Sequence, residues 1–99
     1  MLDTLQLSAF QPYLNQNISI RFTPEVTLES ELIEAKETRS ATVNDNRAPF
    51  SLVFRTQQKT EYYNQGNFVV LHPELGEILM FMVPIGFDAA GMKYQAIFN

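Results

Sequence analysis

No cysteine occurs among the 99 residues, which excludes disulfides, thiolate metal sites and a cysteine nucleophile. Histidine is almost as scarce: His72 stands alone, so any imidazole ligand or base must be that residue. Seven Lys and Arg face eleven Asp and Glu, a formal net charge of -4. The basic residues Arg21, Lys36, Arg39, Arg47, Arg55, Lys59 and Lys93 are scattered rather than clustered. An acidic chain without a basic face repels phosphate backbones, so no nucleic acid is expected as a partner. Long apolar runs are missing too. The longest, Ile78 to Ile85, contains Pro84 and falls far short of the roughly 20 residues that a helix needs to cross a bilayer, so no membrane partner is expected. The opening Met1-Leu2-Asp3-Thr4 lacks the basic and apolar regions of a signal peptide, which makes cytoplasmic residence the expectation. With no Gly/Ser linker, internal repeat or low-complexity tract, residues 1–99 are expected to form a single β domain.

What the chain does contain is apolar surface: 45% hydrophobic residues, eight Phe and four Tyr. That is enough burial to offset chain entropy in a domain of this size. Its periodicity is mostly two. Ile18, Ile20 and Phe22 alternate with Ser19 and Arg21; Phe50, Leu52 and Phe54 alternate with Ser51 and Arg55; Phe68 and Val70 lead to His72. Each pattern predicts a strand with one apolar face. Residues 26–38 are rich in helix-forming Glu, but Val26, Leu28, Ser30 and Leu32 keep period two. A shift of phase to Ile33 and Ala35 is what a β-bulge produces, so a strand is predicted, with a helix as the alternative. Glu77 to Val83 and Met92 to Phe98 complete about six strands. The turns fall at Thr23-Pro24, at His72-Pro73-Glu74-Leu75-Gly76 and between Asp88 and Gly91, and polar loops at 39–49 and 57–66. Before the strands, Ser8 is read as the cap of a short helix through Leu14, with Leu7, Phe10, Tyr13 and Leu14 on its inner side as a lid for the core. Without a long apolar helix to carry a parallel crossover, the fold is mainly β: a small antiparallel β-barrel or two-layer sandwich with a short N-terminal helix.

The segments Pro49-Phe50-Ser51-Leu52-Val53-Phe54-Arg55, His72-Pro73-Glu74-Leu75-Gly76, Val83-Pro84-Ile85-Gly86 and Gly91 to Asn99 resemble a family of small bacterial proteins of unknown function. The opening residues 1–5 and Phe10 do so too, while Ser30 and Ala35 stand where larger apolar residues are expected. The resemblance implies companionship with phage-tail-like or tail-fibre-like components and supplies no catalytic residues.

Little in the chain resembles reaction chemistry. His72 with Glu74 two residues on could be a base and its orienting carboxylate, but a histidine entering a Pro-Gly turn more often bonds the local backbone. Asn44-Asp45-Asn46 lacks the glycine and regularly spaced acids of a calcium loop. Residues 86–91 lack the lysine and following helix of a phosphate loop, and Glu29, Glu31, Glu34 and Glu37 read as a solvated face. No cofactor or metal site is predicted. The most informative segment is Glu77 to Val83, where Ile78, Met80 and Met82 share one face and Leu79, Phe81 and Val83 the other, both apolar. A sheet normally wets one face, so the second must meet the helix, a loop or another chain. Leu79, Met80, Phe81 and Met82 are therefore candidate interface residues, with a protein partner or self-association in view. The reading that follows is a non-enzymatic interaction or assembly module. The alternative is a small-ligand-binding barrel, or an enzyme using His72, with Tyr62, Tyr63 and His72 lining a mouth between loops.

Overall fold

The computed structural model describes residues 5–43 and 47–99. Among these residues six strands, β1 (Asn17–Thr23), β2 (Val26–Glu37), β3 (Phe50–Thr56), β4 (Gly66–His72), β5 (Gly76–Phe87) and β6 (Met92–Phe98), follow two 3₁₀ turns at Leu7–Ala9 and Gln11–Tyr13. They close into a barrel in the order β1-β2-β3-β6-β5-β4, every pairing antiparallel. Of the two expected architectures the barrel is therefore the one formed; closure leaves no long strand edge open to water.

The period-two residues face inward. Ile18 and Ile20 of β1, Leu52 and Phe54 of β3, Val70 of β4, Met80 and Met82 of β5 and Tyr94 and Ala96 of β6 are all at most 2% exposed. A barrel this narrow is filled by its own side chains, and each such burial of a large apolar group is worth about 1.5–3 kcal/mol. The ambiguous residues 26–38 form a strand, β2, and its pairing with β3 slips by one residue between Leu32 and Glu34. The bulge at Ile33 lets Leu32 lie in the core and Ala35 pack against it on the new phase. Ser30 fits an inward position because its hydroxyl donates to the carbonyl oxygen of Ile18 at 2.5 Å.

Turn chemistry sets the connections. Gly76 takes φ +80° to end the Pro73-Glu74-Leu75 loop, a conformation that costs glycine nothing. Asp88 Oδ1 accepts from the N–H groups of Ala90 and Gly91 and fixes the β5–β6 turn. The Asn44-Asp45-Asn46 triplet and residues 1–4 lie outside the described residues.

The amino-terminal element is short and helical as expected, but it is 3₁₀ and lacks the expected Ser8 cap. Ser8 lies inside the first turn; the capping position is Gln6, which makes no side-chain cap bond. Both turns are three-residue 3₁₀ segments, and Pro12 stands at the start of the second, where its missing N–H is tolerated. Leu14 is 40% exposed rather than inward. The turns do cover the core, but at the end of the barrel and not over a sheet face: Phe10 is fully buried, and Ala9 meets His72 at the end of β4.

Candidate interaction surface

Both ends of the barrel are stoppered from within the chain. At the end where β4 begins, the loop of residues 57–65 lays the Tyr63 ring against Phe22, stacked at 4.7 Å, and the Tyr63 N–H donates to the Tyr94 hydroxyl at 3.0 Å. That hydroxyl donates in turn to Gln58 Oε1 at 2.7 Å. Burial pushes the Tyr94 phenol up from its usual range. At the other end, Phe10 and Tyr13 pack edge-on to His72, each with ring centroids 5.1 Å away. The His72 imidazole is buried, with Nε2 on the Ala9 carbonyl and Nδ1 accepting from the backbone of Glu74 and Leu75.

These positions correct the expected ligand mouth. Tyr62 and Tyr63 precede Gly66, at one end of β4, and His72 terminates it at the other. Seven strand residues, roughly 20 Å, separate them. The structure does not bring the three together. Glu74 meets His72 through its backbone N–H only, while its carboxylate accepts from the Tyr13 hydroxyl at 2.6 Å. Among the described residues no group of three or more His, Asp or Glu side chains is arranged to hold a metal ion, and no helix is long and apolar enough to cross a membrane.

The outer wall carries the more unusual feature. Its two opposite sides differ in chemistry, because β2 and β5 stand three places apart in the ring of strands. On β2, Glu29 and Glu37 are exposed to water, Glu31 pairs with Arg55 at 3.0 Å and Glu34 with Lys36 at 3.5 Å. On β5, alternation puts Ile78, Met80 and Met82 in the core and Leu79, Phe81 and Val83 outside, with Ile85 following at the register shift between Pro84 and Gly86. Leu79 and Phe81 remain 54% and 52% exposed. Of the four expected interface residues, Leu79 and Phe81 are thus on the surface, whereas Met80 and Met82 are buried and unavailable to a partner. The terminal turns do not reach this face, so the helix expected to cover it does not.

Ile97 joins this patch from β6, 58% exposed. Residues 76–82 of β5 pair with β4, and residues 83–87 pair with β6. Where β5 and β6 part, a groove of about 330 Å³ opens, lined by Phe81, Val83, Gln95, Ile97 and Asn99. Sequence reading did not include Ile85 and Ile97 among the interface residues. For Ile97 the signal was present: it is the one apolar residue in the otherwise polar phase Lys93, Gln95, Ile97.

No curated protein and no solved structure matches the chain. Residues 5–98 match the family described as Domain of unknown function (DUF6916), and the chain belongs to that family.

Proposed function

We propose that this protein is a non-enzymatic interaction module, whose contact surface is the outer face of β5 with Ile97 beside it. The observation that carries the reading is the uninterrupted outward row Leu79, Phe81, Val83 and Ile85 on a wall whose opposite side is charged. The largest contiguous apolar patch on a small domain is often a functional surface, especially where polar residues rim it. The resemblance noted in the sequence implies a setting for it, as an accessory of a phage-tail-like assembly. The His72 chemistry of the alternative reading finds no support in a buried ring whose two nitrogens are occupied by backbone partners.

The test is site-resolved photo-cross-linking in the producing cell, with the reactive side chain placed at Phe81 or, as a control on the opposite wall, at Glu29. A discrete cross-linked species from position 81 and none from position 29 is the expected result. Equal yields from both positions, or none from 81, would overturn the reading.

A further inference from the structure

The geometry points to a second copy of this chain as the occupant of the β5 face, an inference that rests on the interaction reading above and names its partner. We infer that two barrels pack wall to wall through Leu79, Phe81, Val83, Ile85 and Ile97, with their β2 faces turned outward.

Area is the first argument. These five side chains, roughly a third to three-fifths exposed, form a contiguous apolar patch of a few hundred Å². A standard-size interface removes about 800 Å² from each partner, a little over half of it apolar. The patch therefore supplies the greater part of the apolar area that one side of such an interface requires. The polar remainder comes from Asn67 opposite Phe81 on β4, and from Gln95 and Asn99 along the groove.

Charge is the second. An isologous contact sets a surface against itself, so any net charge on it repels. No Asp, Glu, Lys or Arg lies between Ile78 and Phe87; Glu77, which borders the row at one end, is held by Arg21 at 3.1 Å, and Lys93 of β6 stands beside its other end, opposite Gly86. The chain carries a net charge of -4, but Glu29, Glu31, Glu34 and Glu37 stand on the strand diametrically opposite. Packing through β5 puts the two acidic walls as far apart as the pair allows. A contact through any face nearer β2 would bring them together.

Shape is the third. The groove between Phe81 and Ile97 is open to one side of the row, and sheets that pack face to face interdigitate side chains across about 10 Å. A branched side chain of the partner's row would enter such a groove.

The experiment is light scattering after size exclusion over a concentration series up to about 1 mM, the limit at which weak pairing is still visible. The expected weight-average mass rises from 11.4 kDa towards twice that value. The Phe81→Asp and Ile85→Lys variants are expected to stay at 11.4 kDa with unchanged circular dichroism. Because the chain has no cysteine, Val83→Cys and Glu29→Cys give single-thiol proteins. A bismaleimide spanning the ~10 Å between packed sheets should link the first into covalent dimers and leave the second single. A wild-type mass fixed at 11.4 kDa, or equal linking of both thiols, overturns self-pairing. If position 81 still cross-links to a different protein in cells, self-pairing alone has failed; if it cross-links to nothing, the interaction reading fails with it.

Discussion

The Nε2 atom of His72 lies 2.7 Å from the carbonyl oxygen of Ala9, a contact that spans 63 positions of chain and ties the amino-terminal turns to the end of β4. On the other side of the ring, Nδ1 accepts from the N–H groups of Glu74 and Leu75, both at 3.0 Å. A nitrogen that accepts two hydrogen bonds carries no proton, so the proton sits on Nε2 and is donated to Ala9. The only histidine is thus a clamp between the terminal plug and the β4–β5 turn.

Removing that clamp strands one part-buried carbonyl and two N–H groups and leaves Phe10 and Tyr13 without the ring they pack against. His72→Ala is expected to lower the unfolding free energy by about 2–4 kcal/mol. A urea titration measures it. A loss of less than ~1 kcal/mol would mean that the backbone, not the imidazole, holds the plug.

How much of this was legible beforehand depended on distance along the chain. Alternation is local, and it revealed all six strands, even the Glu-rich β2 with its slip near Ile33, because a change of phase is written in neighbouring residues. The two apolar faces of β5 were equally visible. Which of them turned inward was not, since Ile78-Met80-Met82 and Leu79-Phe81-Val83 are comparable in volume and only register against Phe68 and Val70 of β4 decides. Closure of β1 on β4 and the separation of Tyr63 from His72 by a strand length are likewise non-local. Ser8 misled for a different reason: a capping residue type marks a helix start only where a helix is long enough to have one.

Two glycines separate steric from conformational demand. A Cβ on Gly91 would run into the Thr56 carbonyl oxygen, and backbone cannot yield as a side chain can. At Gly76 there is open space but a φ of +80°. Gly91→Ala should therefore cost about 3 kcal/mol or more by overpacking, and Gly76→Ala about 1–2 kcal/mol for the left-handed backbone. Thermal melts of the two variants should rank in that order; the reverse ranking would show that the β5–β6 turn stands off from β3.

Asp88 gives the fold a predictable response to acid. Desolvation by its surroundings raises the carboxyl, but the N–H groups of Ala90 and Gly91, and then the Arg55 guanidinium 3.0 Å away, outweigh it and hold it below the usual 3.8. A carboxylate with a depressed folded pKa contributes stability that is fully present above its unfolded value and lost as pH falls through the folded one. Asp88→Asn keeps an acceptor for the turn and removes the charge. Wild type should exceed the variant in urea midpoint at neutral pH, and the gap should close as pH drops below 3.8. A gap of constant size down to pH ~2 would locate the effect in packing instead of in charge.

Adjacent residues on β5 provide the sharpest test of which face is which. Met80 is 1% exposed and sits opposite Phe68 in the core, whereas Phe81, the next residue, is 52% exposed and sits opposite Asn67. A carboxylate at position 80 would be buried without a partner, at a cost that can exceed the whole stability of a small domain. At position 81 it points into water. Met80→Asp should give a chain without a cooperative melt, Met80→Ala a folded one weakened by about 2–5 kcal/mol, and Phe81→Asp a barrel within ~0.5 kcal/mol of wild type. Circular dichroism melts distinguish all three. Should Phe81→Asp unfold the monomer as Met80→Asp does, the outer row would belong to the core of the fold, and its reading as a contact surface would go with it.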